Sequence, residues 1–206
     1  MHILLAVSGG IAAYKIPQLI RNLRDDGHTI QVMLSKGAEQ FVTSLSCAVV
    51  SELDVITADD FYSWKMPHLS LAKKADLFLW IPATANGIGK CANGITDDVL
   101  SAAFCAFGGP KLICPAMHTE MFEAAATQRN IQQLKSDGCM ILGPDDGPLA
   151  CGDFGKGRLV DAEIIRLAIQ LVGLPWLDFS TKKVLVSAGG TSEHIDPVRC
   201  ITNRST

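Results

Sequence analysis

Five short apolar runs without alternation recur along the chain, and segments with a helical pattern separate them. The runs cover residues 3–7, 29–34, 76–81, 111–114 and 139–142. A strand with one face in water alternates apolar and polar residues, whereas a parallel strand covered on both faces is apolar throughout. Repeated strand–helix units joined by short loops predict an α/β fold, a doubly wound, Rossmann-like (flavodoxin-like) three-layer sandwich with a parallel sheet. Ligands of such sheets bind at the carboxyl ends of the strands.

Helices are predicted between these strands. The first carries an apolar stripe at helical spacing and ends near Gly27; the stripe consists of Ile16, Leu19, Ile20 and Leu23. Thr96, Asp97 and Asp98 indicate an N-cap with acidic residues in the first turn of a helix that runs to about Phe107. Two more helices are predicted over residues 119–136 and 162–172. Residues 147–158 contain four glycines and a proline, which predicts a surface loop or flap.

Composition excludes several classes of protein. Apolar residues make up 48% of the 206 residues, enough to bury a large core. A net charge of −3 and the absence of a basic tract argue against a nucleic-acid partner. No apolar run reaches the roughly 18–20 residues that span a bilayer, and the apolar run near the first residue lacks the features of a signal peptide. We therefore expect a cytoplasmic protein with no membrane partner.

The seven cysteines are widely spaced and form no C-x-x-C pair. This spacing favours neither a disulfide framework nor a zinc site, so no metal is expected. Most of the cysteines lie in apolar runs and are expected in the core. Cys151 differs, because it lies in the glycine-rich loop, where a thiol can be accessible and exchange protons. An incidental loop cysteine would give the same pattern.

Small and hydroxyl-bearing turns follow the predicted strands. Ser8, Gly9 and Gly10 follow the first, where glycines allow a phosphate to approach the backbone and the amino terminus of the next helix. The motif is neither G-x-G-x-x-G nor a Walker A loop, so alone it is equally compatible with a plain tight turn. Ser35 and Thr84 follow the second and third strands, where each can add a hydroxyl or act as an ordinary cap.

Two histidines stand out by position. His68 precedes the third predicted strand, and His118 follows the fourth. Either imidazole can act as a general acid or base or orient a carboxylate. A solvent-exposed histidine at the start of a helix is the alternative for both.

The end of the sequence starts a second unit. Residues 173–176 look like a linker, residues 183–187 like a new strand, and residues 188–191 like a second phosphate-type turn. The sequence given stops at Thr206, before this unit builds a core. We predict a first domain over residues 1–178 and, over residues 179–206, a linker and the truncated start of another domain.

Four separated stretches together resemble the flavin-dependent cysteine decarboxylases: SGGIAAYK, HLSLAKKADLFLWIPATAN, PAMHTEMF and ACGDFGKGRL. The resemblance covers about residues 1–172. The tail KKVLVSAGGTSEHIDPVRCITNRST is similar to the start of phosphopantothenate–cysteine ligases, which many bacteria fuse behind the decarboxylase. The resemblance implies FMN-dependent decarboxylation of 4′-phosphopantothenoylcysteine to 4′-phosphopantetheine in coenzyme A biosynthesis, through thioaldehyde and enethiolate intermediates. No ligase activity is expected of the truncated second domain.

The same resemblance implies roles for individual residues. Ser8, Gly9, Gly10 and Ser35 would line the FMN phosphate. The rest of the cofactor would contact Pro82, Ala83, Thr84, Asn86, Ser101 and Met117. His68 matches the active-site histidine, and Cys151 the proton donor of the substrate-covering flap. His118 matches a substrate contact, but it stands where the family usually has Asn, and Phe122 stands where the family usually has Trp.

Other activities of the same fold remain open at this point. A peptidyl-cysteine decarboxylase, a flavin prenyltransferase and a non-catalytic FMN-binding regulatory subunit share the fold, so fold alone does not establish activity. The ligase-like tail argues against the first two, and the presence of both His68 and Cys151 favours catalysis. The resemblance also implies a homo-oligomer, either a trimer or a trimer-based dodecamer, with FMN near the subunit contacts.

Overall fold

The computed structural model describes residues 1–62, 67–172, 192–194, 196 and 200–202, with residues 67, 68, 192–194 and 200–202 described by their backbone. The chain divides into two compact units, Met1–Gly173 and Leu174–Thr206. In the second unit, strands Ser192–His194 and Cys200–Thr202 pair antiparallel. The predicted linker, strand and phosphate-type turn of residues 173–191 lie outside the described residues, as does the predicted boundary at residue 178.

The first unit is built on a five-stranded parallel sheet. Its strands are β1 (His2–Val7), β2 (Thr29–Leu34), β3 (Leu77–Ala83), β4 (Lys111–Pro115) and β5 (Met140–Ile141). Their order across the sheet is β2-β1-β3-β4-β5. A separate antiparallel hairpin consists of β6 (Asp145–Pro148) and β7 (Phe154–Arg158). All five predicted strands are present, so the predicted parallel sheet is confirmed.

Eight α-helices accompany these strands in the described part of the first unit. They are α1 (Ile16–Asp25), α2 (Ser44–Ser51), α3 (Pro67–Ala72), α4 (Ala85–Ala92), α5 (Val99–Ala106), α6 (Thr119–Glu123), α7 (Ala125–Ser136) and α8 (Ala162–Val172). Short 3-10 helices cover Ile11–Lys15, Ala38–Gln40 and Ala58–Asp60. No helix among the described residues is both long and apolar enough to cross a membrane.

Successive residues of each strand enter opposite cores. Leu5 and Leu79 pack with the buried stripe of α1 and with Ile165 and Ile169 of α8. Their neighbours in β1 and β3 enter a second core with α4, α5 and α7; it includes Leu4, Ala6, Phe78, Trp80, Ile88, Phe104 and Leu134. Because both faces of the sheet are covered, its strands need apolar residues throughout, and this explains the absence of alternation. The predicted three-layer sandwich is confirmed.

Three predictions about secondary structure need correction. The helix predicted over residues 119–136 is two helices, because Ala124 between them has an extended ψ of 130°. Asp98 is the N-cap of α5, and Thr96 and Asp97 precede the helix, so none of the three lies in its first turn. The loop predicted over residues 147–158 is largely the β6–β7 hairpin, with only its turn irregular.

Ser8 holds the largest side chain of the core in place. The buried indole of Trp80 donates a hydrogen bond from Nε1 to Ser8 Oγ over 2.6 Å. The indole packs on Phe104 and lies edge-on to Phe78. Removing this acceptor leaves a buried N–H without a partner, which is more costly than the hydrogen bond itself is worth.

We therefore expect Ser8→Ala to lower the free energy of unfolding by about 1–3 kcal/mol. Urea titration followed by Trp fluorescence measures the change. The matched control is Ser136→Ala, at an exposed serine whose hydroxyl donates only to the Gln132 carbonyl, and its effect should stay within about 0.5 kcal/mol. Equal effects of the two substitutions would contradict the proposed importance of the Trp80 contact.

Candidate active site

A pocket of about 530 Å³ lies at the carboxyl ends of β1, β3 and β4, under the β6–β7 hairpin. The chain leaves β1 toward β2 on one side and returns to β3 on the other, so the pocket is at the point where the strand order reverses. That crevice is where open α/β sheets bind ligands, and the volume is in the range of small-molecule and cofactor sites. The wall consists of residues 9–12, 14–15, 84, 116–118, 121, 148–151 and 157–159.

The side of the pocket after β1 is built from glycine. A Cβ on Gly9 would lie 2.6 Å from the backbone carbon of Gly37, so the turns after β1 and β2 touch through their main chains. Gly10 is extended and caps the 3-10 helix Ile11–Lys15 without a side-chain hydrogen bond. Gly10 lines the pocket with no side chain of its own, and a Cβ there would lie 3.8 Å from Thr84 Cγ2, an ordinary van der Waals distance. A ligand can therefore approach the backbone there closely.

Two cationic residues also line the pocket, Lys15 after β1 and Arg158 at the end of β7. The Arg158 guanidinium also contacts the Asp161 carboxylate, which fixes its position. Glycine backbone and cations together suit an anionic ligand, such as one with a phosphate or carboxylate group.

Only some of the predicted cofactor residues reach this wall. Gly9, Gly10, Thr84 and Met117 line it, four of the ten that were predicted. Ser8, Ser35, Pro82, Ala83, Asn86 and Ser101 do not form part of it.

The three serines already have structural partners. Ser8 accepts from Trp80, and Ser35 Oγ accepts from the Ala38 amide over 3.1 Å. Ser101 forms a capping box with Asp98 and is 1% exposed. The Ser35 contact is a side-chain bond within the turn after β2, where Gly37 and not Ser35 is the N-cap of the 3-10 helix Ala38–Gln40. Thr84 combines both roles, because its Oγ1 caps α4 while the residue lines the pocket.

Asp153 links the side chains of His118 and Cys151 at the mouth of the pocket. Asp153 Oδ2 lies 3.0 Å from His118 Nε2 and accepts a hydrogen bond from Cys151 Sγ over 3.3 Å. The other imidazole nitrogen of His118, Nδ1, contacts the Glu120 carboxylate. His118 is one-third exposed and Cys151 is exposed, so a molecule in the pocket can reach both side chains.

The two carboxylates favour the protonated imidazole. The hydrogen bond to Asp153, followed by the charge of Glu120, raises the pKa of His118 above its usual value. The same hydrogen bond, with a smaller contribution from Cys151, lowers the pKa of Asp153. The geometry thus favours an imidazolium–carboxylate pair that links the hairpin turn to the loop after β4.

Close backbone contacts position the hairpin over the pocket. The Met117 amide donates to the Gly157 carbonyl over 3.0 Å, and a Cβ on Gly157 would overlap the Met117 carbonyl oxygen. Gly155 packs in the same way on the Thr119 side chain. Glycine at position 157 is therefore a steric requirement of this docking, because the atom in the way belongs to the backbone, whereas at position 155 the Thr119 side chain would have to move.

Sequence reasoning did not identify Asp153, Glu120, Lys15 or Arg158. Asp153 lies within the stretch ACGDFGKGRL, but its position between a thiol and an imidazole depends on the hairpin turn. For His68, the backbone places the residue second in α3, and its side chain lies outside the described residues. Its role stays a prediction.

A doubly wound sheet with a glycine-walled pocket at its switch point is typical of proteins that bind nucleotide-like cofactors. The family described as Flavoprotein matches residues 1–172, and the chain belongs to this family. Residues 179–206 match a second family, described as the DNA/pantothenate metabolism flavoprotein C-terminal domain.

Individual relatives agree with this assignment. The coenzyme A biosynthesis bifunctional protein CoaBC of Escherichia coli K12 is 42% identical over 206 residues, which cover 98% of this chain and 50% of that protein. The chain thus spans about half the length of the curated relatives it matches.

Two solved structures share the fold at 28% identity. A PPC decarboxylase mutant complexed with pantothenoylaminoethenethiol superposes with a TM-score of 0.74, covering 82% of this chain and 96% of that one. The FMN-dependent cysteine decarboxylase SpaF gives a TM-score of 0.72, covering 84% and 98%.

Proposed function

We propose that residues 1–178 bind FMN and decarboxylate 4′-phosphopantothenoylcysteine to 4′-phosphopantetheine for coenzyme A biosynthesis. The observation that carries the proposal is the pairing of Cys151 and His118 at the mouth of a glycine-walled pocket. Likeness to CoaBC proteins, to a PPC decarboxylase and to an FMN-dependent cysteine decarboxylase supports the choice of substrate and cofactor. We also propose that residues 179–206 begin a ligase domain, in line with the second family match.

The pocket fits FMN by its glycine wall, its volume and its cations. Gly9 and Gly10 would hold the phosphate end, with Ser8 and Ser35 supporting the two turns from behind. Thr84 and Met117 would contact the rest of the cofactor, while Pro82, Ala83, Asn86 and Ser101 would shape the adjoining β3–α4 and α5 segments. Bound FMN supplies reversible two-electron oxidation of the substrate's cysteinyl CH2–SH group, which turns an unreactive carboxylate into one that can leave as carbon dioxide.

The chain's own residues then bind the substrate and donate the proton that the reaction needs. When substrate binds, His118 Nε2 can donate a hydrogen bond to the substrate carboxylate in place of Asp153, and the charge of the imidazolium strengthens that bond. Decarboxylation by way of a thioaldehyde leaves an enethiolate, which must gain one proton at carbon in place of the lost carbon dioxide and take back the two electrons removed in the oxidation. Cys151 supplies this proton, and Asp153 orients the thiol. His68 is proposed as a further substrate-contacting acid or base.

The assembly and compartment are part of the same proposal. Large apolar side chains are exposed at the pocket (Ile11 and Tyr14), just before α2 (Phe41) and on α2 (Leu45 and Val49). Exposed apolar groups of this extent favour a contact with another subunit. We propose a homotrimer or a trimer-based homododecamer in the cytoplasm, and light scattering on the full chain tests its mass.

Carbon dioxide release from phosphopantothenoylcysteine by the FMN-loaded chain tests the function. We expect release with formation of phosphopantetheine, and no release from a peptide that ends in cysteine. Release from the peptide alone would favour a peptidyl-cysteine decarboxylase. Stable yellow protein that releases no carbon dioxide would favour a regulatory FMN-binding subunit.

The raised pKa of His118 gives the reaction a pH dependence. Below that pKa the imidazolium pairs with Asp153 and can bind the substrate carboxylate; as pH rises through it, the charge is lost. We expect KM to increase on the alkaline side, with the change attributable to His118. In His118→Asn the neutral amide should remove this limb of the profile while kcat at low pH changes little. If KM of His118→Asn still increases at alkaline pH as in the wild type, another group causes the increase.

A further inference from the structure

His118, Cys151 and Asp153 offer three different ligand atoms for a metal ion at one point. The Nε2, Sγ and carboxylate oxygen atoms all lie within 4.8 Å of one another. The two distances from Asp153 Oδ2 are 3.0 Å to Nε2 and 3.3 Å to Sγ. Ligand atoms around tetrahedral zinc are separated by about 3.3–3.6 Å, given its bond lengths to N, O and S. Small side-chain rotations would thus convert the hydrogen-bonded cluster into a coordination shell.

We infer that His118 Nε2, Cys151 Sγ and Asp153 form a zinc-binding site at the mouth of the pocket. The ligand types point to zinc, because imidazole and thiolate favour it, whereas magnesium and calcium select oxygen ligands. Three protein ligands leave the fourth position to water, as in open zinc sites. The sequence predicted no metal, since these residues follow none of the usual ligand spacings.

Glu120 provides independent support. Its carboxylate contacts Nδ1 of His118, the nitrogen that faces away from the cluster. Metal-bound histidines commonly donate their second N–H to a carboxylate, which fixes the ring orientation and directs the other nitrogen to the metal. Here that arrangement is already present, and it leaves Nε2 for the ion.

Coordination would also connect two elements of the fold. His118 precedes α6, whereas Cys151 and Asp153 belong to the hairpin turn. An ion bound to all three would fix the hairpin over the pocket. Binding displaces the thiol proton of Cys151, and that of His118 where the imidazole is charged, into solvent. Metal binding at this site therefore releases protons.

The functional consequence rests on the proposed function. Zinc would occupy the proposed proton donor and the proposed carboxylate contact together. We expect it to inhibit decarboxylation reversibly, to compete with substrate, and to be removed by a chelator.

The test measures metal binding on the full FMN-loaded chain without substrate. Zinc affinity comes from competition with a chromophoric chelator, and cobalt difference spectra report a thiolate-to-metal charge-transfer band in the near ultraviolet. We expect one ion per chain. Cys151→Ser should abolish the band, and Asp153→Asn should weaken binding at least about 10-fold.

The matched control is Cys105→Ser, which removes an exposed thiol in α5, away from the cluster. It should keep both the affinity and the cobalt band. Equal zinc affinity in the wild type and Cys151→Ser, or loss of the band in Cys105→Ser, overturns the inference. Zinc binding by a chain that releases no carbon dioxide would reject the proposed function alone. Carbon dioxide release without zinc binding would reject only the metal site.

Discussion

Cys151→Ser is expected to stop phosphopantetheine formation while the chain still folds and binds FMN. The thiol lies exposed at the hairpin turn and donates to Asp153 over 3.3 Å, so a serine fits without disturbing a core. A hydroxyl is a far weaker acid than a thiol, and loss of a general acid costs about 10²–10⁴-fold in rate. The substrate should be oxidised and lose carbon dioxide but gain no proton at the carbon that carried the carboxylate.

Two measurements distinguish loss of the proton donor from a general loss of activity. The variant should accumulate an oxidised enethiol product that absorbs in the near ultraviolet, while carbon dioxide release continues for the oxidative half of the reaction. Cys105→Ser, at the exposed cysteine of α5, should form phosphopantetheine at the wild-type rate. Normal phosphopantetheine formation by Cys151→Ser would mean that another group provides the proton.

The sheet was predictable because strands buried on both faces are apolar throughout, and such runs are visible in the sequence. The prediction for β2 coincides with the observed Thr29–Leu34, and that for the last helix with Ala162–Val172. Helices α2 and α4 were not predicted. Their sequences, SLSCAVVS and ANGIGKCA, are only eight residues long and rich in small residues, so even the buried face of α4 (Gly87, Ile88 and Cys91) gives a weak pattern; side-chain caps at Thr43 and Thr84 mark their starts.

The site was predictable as a set of residues but not as an arrangement. Glycine turns at strand ends pointed to the pocket, since parallel strands bring their carboxyl ends together. The contact between His118 and Asp153 joins positions 35 residues apart and depends on how the hairpin folds back. No periodic pattern in the sequence predicts where the β6–β7 hairpin folds back. Both serines that resembled phosphate ligands also have partners in the fold: Ser8 accepts from Trp80 Nε1, and Ser35 accepts from the Ala38 amide.

Gly157→Ala tests whether hairpin docking, and not only the chemistry at its turn, is required for activity. The added Cβ would lie well under 3.0 Å from the Met117 carbonyl oxygen, a backbone atom that cannot rotate away. Strand β7 must then shift, and the hydrogen bond from the Met117 amide to the Gly157 carbonyl is lost or stretched. We expect unfolding to become easier by about 1–3 kcal/mol, typical of overpacking.

The effect on activity should be larger than the effect on stability. A displacement of about 1 Å in a reacting group can cost about 10²-fold in rate, and here the shift would carry Cys151 and Asp153 away from His118. Steady-state kinetics, urea denaturation and FMN titration measure the three effects separately. Gly108→Ala is the matched control, because no atom lies within 4 Å of its Cβ position. Since Gly157→Ala retains the Cys151 thiol, it should slow turnover without accumulating the oxidised product of Cys151→Ser. Wild-type kcat/KM in Gly157→Ala would show that the hairpin tolerates displacement and that its docking does not limit the reaction.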